Sequence, residues 1–218
     1  MTAATRPDLD GACAPYHHGD LRRALVNAAL ALVTEEQDWG FSLREVARRA
    51  GVSHNAPYKH FADKRDLLAA IAAAGFEALR ARLVAAVAET RSADAALVAI
   101  GVAYVRFGVE NPAHYRLMFG PTLTAVEGGL PVLVVGAAAG AKSVLQEAVL
   151  RGAEAGCFTA SPDSQAELDV AALSAWSLVH GLAMLAIDGL AGSGASSSLS
   201  HAVVEKVARA LLNGLRRR

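Results

Sequence analysis

Phe41-Ser42-Leu43-Arg44-Glu45-Val46-Ala47-Arg48-Arg49-Ala50-Gly51-Val52-Ser53-His54-Asn55-Ala56-Pro57-Tyr58-Lys59-His60-Phe61-Ala62-Asp63-Lys64 is the stretch that decides the fold. Ser42 followed three residues later by Glu45 is a capping box: the hydroxyl takes the N3 amide and the carboxylate reaches back to the N-cap amide. Phe41 and Val46 fall where a hydrophobic staple is wanted. The spacing therefore predicts a short helix over 43–50, closed by Gly51 in the left-handed conformation that favours glycine. Ser53 is placed to cap a second short helix, over 54–60, only two residues beyond that stop. Helix, tight turn, helix is the geometry of a helix-turn-helix. Pro57 falls inside the second helix, where its missing N–H costs a bond. That either delays the helix start or tightens its first turn.

On that second helix Pro57 and Phe61 share one face and pack inward. Asn55 and Lys59, also four apart, lie opposite, since two residues turn a helix by about 200°. An outward face carrying Asn and Lys suits the major groove, where Asn pairs with adenine and Lys donates to guanine. His54 and His60 border that stripe. Phosphate contacts are expected around it, at the amide-rich start of the 43–50 helix with Ser42 and Arg44, and at Ser53, Tyr58, His60 and Lys64. From 42 to 66 there are six Lys/Arg against three Asp/Glu, in a chain that is neutral overall with 21 of each. A mildly basic patch is the footprint expected of a DNA reader. A plain solvated face is the competing reading.

Upstream, Leu21, Leu25, Ala28 and Leu32 make an apolar stripe for a helix over 20–36. Residues 1–15 read as a disordered tail. Downstream, Asp63 caps a long helix over 64–89, with Asp66 at its N3 position and Leu68, Ile71, Gly75, Leu79, Leu83 and Ala86 along one side. Further helices are expected over 93–110, 111–119 (Asn111 as cap and Pro112 at N1), 131–155, 163–188 and 199–217. A Gly/Ser-rich connection fills 189–200. The fold class is therefore all-α, about nine helices: a three-helix N-terminal unit over 16–64 and a helical bundle over 65–218. Composition agrees, with 48 Ala among 218 residues and aromatics at 6%, because Ala is the best helix former.

With no apolar leader at the start and two cysteines, Cys13 and Cys157, the chain is expected to be cytoplasmic with free thiols. The apolar run 130–141 is too short to span a bilayer. The run 170–187 sits at the threshold but lacks basic anchors, so a buried or interface helix is preferred and no membrane partner is expected. There is no C-x-x-C, H-E-x-x-H, P-loop or G-x-S-x-G, and His17-His18 alone cannot make a metal site. No enzyme activity, metal or cofactor is expected. Gly136 and Gly140 are read as a point of close backbone approach.

From about 16 to 68 the chain resembles the TetR family of transcriptional regulators. The resemblance rests on Phe41 to Ala47, Ala50-Gly51-Val52-Ser53, Tyr58-Lys59-His60-Phe61 and Asp63-Lys64, with Pro57 replacing the aliphatic residue common there. A weaker resemblance, to the C-terminal domain of one TetR subset, runs from Asn111-Pro112 through Tyr115, Leu117, Met118 and Phe119 to Trp176 and His180-Gly181. The resemblance implies a homodimer on a palindromic operator, with the last two long helices as its seam. It implies that His54, Asn55 and Lys59 face bases while Ser42, Tyr58, His60 and Lys64 hold phosphates. It also implies a repressor released by a small molecule in the C-terminal domain. Tyr104, Phe107, Tyr115, Met118, Phe119, Trp176 and His180 are the candidate lining of that pocket, against the alternative of a packed core. A helical carrier or enzyme on the same frame without DNA binding, and a protein-interaction module, are the competing functions.

Overall fold

The computed structural model describes residues 18–36, 38–124, 129–191 and 200–215. The expected tail, Cys13, most of the Gly/Ser-rich connection and the basic end Arg216 to Arg218 lie outside the described residues. Among the described residues the chain is helical with no strand, in two units, Met1–Ala62 and Asp63–Arg218.

The first unit holds α1 (His18–Glu36) and α2 (Leu43–Arg49). Leu25, Ala28 and Leu32 of the α1 stripe are buried, as are Leu43, Val46 and Ala47 of α2. The capping box forms as expected: the Ser42 hydroxyl accepts from the Glu45 amide at 3.2 Å, and the Ser42 amide donates to Glu45 Oε2 at 2.7 Å. Phe41 and Val46 are both buried. Gly51 takes φ +69°, with nothing near its missing side chain.

The helix expected over 54–60 does not form. In its place stand a turn at His54 and Asn55 and a single 3-10 turn, Pro57–Lys59. Its bonds are short-range: Ala56 N–H to Ser53 O at 2.9 Å, Lys59 N–H to Ala56 O at 3.2 Å, His60 N–H to Pro57 O at 2.9 Å. Pro57 is the reason, because it can neither donate to the preceding turn nor sit comfortably inside an α-helix. The N-cap of this turn is Ala56, with no side-chain cap, so Ser53 does not act as one.

The second unit opens with α3 (Lys64–Ala88), capped by the Asp63 carboxylate on the Asp66 amide at 2.8 Å. Then come α4 (Ala93–Glu110), α5 (Pro112–Phe119), a one-turn α6 (Pro121–Thr124), α7 (Val132–Glu154), α8 (Gln165–Ile187) and α9 (His201–Leu215). The hydrophobic core lies between α3, α4, α7 and α8, with α5 against α3 and α9 against α4. Asn111 does not cap α5 with its side chain; the amide turns back and donates to Phe107 O at 3.0 Å. Ser164 caps α8, which starts at Gln165 rather than at the expected 163.

Gly136 has open space beside it and Gly140 meets only the Arg80 side chain, at 3.4 Å. The expected backbone approach at this pair is therefore absent. The packed face of α7 runs through Val134, Ala141, Leu145 and Ala148, which turns Gly136 outward. The apolar run at 130–141 is the start of α7, the helix expected over 131–155. By length and composition α7 and α8 could each cross a membrane, although both pack into this unit's core.

Candidate nucleic-acid interface and ligand cavity

Around the 3-10 turn the pattern of exposure is sharp. Ala56, Pro57 and Phe61 are buried, while His54, Asn55, Tyr58 and Lys59 are exposed. Tyr58 shows 51% of its surface. The inward anchor is Phe61, whose ring lies under the Arg22 guanidinium of α1 at 5.3 Å, a cation–π contact. The side chains expected to face bases, His54, Asn55 and Lys59, thus lie on the outer side of the turn, although no α-helix carries them.

The expected phosphate contacts divide. Arg44, Ser53 and Tyr58 are exposed, and His60 is half-buried. The Ser42 hydroxyl is engaged twice in the capping box, as acceptor and as donor to Glu45 at 2.9 Å. Lys64 is the first residue of α3, in the second unit. Arg49 is spent on Glu35: Nη1 donates to Oε2 at 2.7 Å, and this pairing lowers the Glu35 carboxyl pKa. Arg48 is exposed on the last turn of α2 and was not among the expected contacts.

The second unit contains a cavity of about 320 Å³. Phe76, Leu79 and Leu83 of α3 and Leu97, Ile100 and Tyr104 of α4 form one side. Met118 and Phe119 of α5, Val134, Ala138 and Leu145 of α7, and Trp176 and Val179 of α8 form the other, with Ala208 and Leu211 of α9 beyond. Of the seven expected lining residues, Tyr104, Met118, Phe119 and Trp176 reach it. Phe107 does not: it is buried under the Arg82 guanidinium, 5.4 Å from its ring centroid. Tyr115 and His180 stand behind the wall. The aliphatic lining went unread because aromatic side chains were the guide. The i, i+4, i+7, i+11 spacing of Val134, Ala138, Ala141 and Leu145 was the available signal.

Behind the wall is a hydrogen-bonded cluster. Trp176 Nε1 donates to the Tyr104 hydroxyl at 3.0 Å, and Tyr115 donates to the same hydroxyl at 3.0 Å. His180 Nδ1 lies 2.7 Å from the Tyr115 hydroxyl and 3.1 Å from that of Tyr104. A neutral imidazole with Nδ1 as acceptor gives every hydroxyl proton a partner. Burial acts in the same sense, since it pushes the His180 pKa down and the Tyr104 pKa up to about 12. Desolvation, then the neighbouring Tyr104, raises that of Tyr115 as well. A second histidine, His114 of α5, donates from Nε2 to the Ile71 carbonyl of α3 at 2.6 Å. It occupies the notch left by Gly75, where a Cβ would meet Nε2 at 2.6 Å. Sequence reading did not single out this contact.

A capped helix, a glycine stop and a polar exposed turn, followed by a helical unit with an apolar cavity, define a helix-turn-helix regulator class. Comparison with known proteins makes this specific. A family model described as "Tetracyclin repressor-like, C-terminal domain" matches residues 97–211, and one described as "Bacterial regulatory proteins, tetR family" matches residues 25–71. The chain belongs to the TetR family of transcriptional regulators. A structure of a protein of unknown function from Rhodococcus sp. RHA1 is 35% identical with TM-score 0.79, covering 94% of this chain and all 100% of that one. A tetR-family regulatory protein from Rhodococcus RHA1 shares the fold at 20% identity and TM-score 0.67, covering 91% of this chain and 98% of that one. An uncharacterized HTH-type transcriptional regulator of Bacillus subtilis, YobS, is 29% identical over 98 residues, 45% of this chain and 51% of that protein. The match thus spans about half the length of the curated relative.

Proposed function

We propose that the protein is a repressor that binds a palindromic operator as a homodimer and is released by a small, mostly apolar molecule. The observation that carries the reading is the exposed polar turn. Asn55 and Lys59 stand outward while Pro57 and Phe61 anchor the turn inward. His54, Asn55 and Lys59 take base edges, with each good bidentate contact worth about 1–3 kcal/mol of discrimination. Arg44, Ser53, Tyr58, His60 and Lys64 hold phosphates, with Ser42 contributing its helix start rather than its engaged hydroxyl.

The α8 surface supports the homodimer. Val170, Leu173 and Leu185 are exposed apolar side chains along it, at 63%, 55% and 46%, and the space beside Gly181 is open. A second copy covers that stripe, together with Val203 of α9. Ligand control runs through α3, which starts at the boundary between the two units and supplies Phe76, Leu79 and Leu83 to the cavity wall. A cytoplasmic location follows from this function.

The test is fluorescence anisotropy with labelled duplex DNA across a salt series. A repressor that neutralises several phosphates binds steeply less as salt rises from about 50 to about 200 mM. A carrier without DNA binding gives no salt-sensitive duplex complex, and that result overturns the proposal.

A further inference from the structure

The chemistry of the cavity wall constrains what can fill it. Among the described residues that line it there is no Asp, Glu, Arg or His, and one charge, Lys142 of α7. A cationic ligand finds no counter-charge there, and burying an unpaired charge is costly. The neutral polar groups of the wall are already used within the protein. The Tyr104 hydroxyl holds Trp176 Nε1 and Tyr115, and the Thr124 hydroxyl donates to Gly120 O at 3.1 Å. A polyol or sugar finds few partners, and each of its hydroxyls would enter an apolar chamber unpaired.

Lys142 differs from these groups. It is exposed, and forms no ion pair among the described residues. It lies four residues after Ala138 and three before Leu145, both on the wall, so its stem follows the apolar face while the ammonium stays in water. Thr124, Leu130 and Ala139, which with Trp176 are the other exposed residues among the described lining, lie with Lys142 where the chamber reaches solvent. An apolar chamber whose opening, among the described residues, carries one charge, the unpaired cation Lys142, matches a molecule with a hydrocarbon body and one anionic end.

We propose that the effector is an aliphatic monocarboxylate, its chain in the cavity and its carboxylate on Lys142 Nζ. This deepens, and rests on, the reading that the cavity receives the effector. A charge-assisted contact of this kind, partly in water, is worth about tenfold in affinity.

Isothermal titration of the full chain with decanoate, decanol and decyltrimethylammonium, each below its aggregation concentration, tests it. Decanoate is expected to bind about tenfold tighter than decanol, and the decyl cation weakest. Lys142→Met brings decanoate down to the level of decanol without moving decanol, and Lys142→Arg keeps the preference. Decanol binding as tightly as decanoate, a preference that survives Lys142→Met, or no binding by any of the three overturns the proposal. The same ligands are then added to the protein–duplex complex. Release by decanol and decanoate alike leaves ligand control standing and removes the carboxylate. Tight, Lys142-dependent decanoate binding without release keeps the carboxylate and removes ligand control.

Discussion

At Gly51 the backbone turns left-handed, and the placement of Asn55 and Lys59 depends on that turn. Nothing lies within 4 Å of where a Cβ would stand, so the cost of a side chain there is conformational. Gly51→Ala is expected to lose about 1–2 kcal/mol, read as a lower urea midpoint at unchanged slope. Two half-buried histidines give stability a pH dependence. Burial lowers the pKa of both His114 and His180 below the ordinary 6.5. Protons therefore bind the unfolded chain more readily than the folded one. Their stabilising contribution is complete above the unfolded value of 6.5 and is lost as pH falls through the lower folded values. The thermal midpoint should drop between about pH 7 and about pH 5, and drop less in His114→Gln. A flat profile over that range would contradict the placement of both rings.

Helix boundaries were legible wherever a side chain announces them. Ser42 with Glu45 fixes the start of α2, Gly51 its end, and Asp63 with Asp66 the start of α3. The turn after Ser53 was misread as a helix because its polar and apolar spacing suits either form; Pro57 tips the balance toward the tighter one. The inward pair Pro57 and Phe61 survives the change, so the outward face was legible even where the element was not. Tertiary contacts were less so. The meeting of His114, Ile71 and Gly75 joins residues 43 apart in sequence, and no local pattern signals it. Gly75→Ala puts a carbon 2.6 Å from both His114 Nε2 and Met118 Sδ. It should cost about 1–3 kcal/mol by overpacking, seen as a lowered thermal midpoint. An unchanged midpoint would mean that α5 does not press on α3 there.

On the scale of the whole molecule, the family frame and its all-α class were readable from the cap and turn residues of one short stretch. The cavity was only half readable, because its wall is mostly aliphatic and such residues look like core in sequence. The exposed stripe on α8 makes assembly testable. Leu173→Glu places a charge where a second copy would pack, and light scattering should then report one 22.6 kDa chain instead of two. Equal masses for both proteins would move the seam elsewhere. Specific DNA recognition by the exposed turn is the claim on which the rest depends. The direct measurement is selection of duplexes from a random pool near physiological salt, beside the Asn55→Ala, Lys59→Ala double variant. An enriched palindrome that the variant binds at least tenfold more weakly, a loss of about 1.4 kcal/mol or more, is the expected result. No enrichment, or a palindrome that the variant binds equally well, would contradict the assignment of those two side chains to the bases.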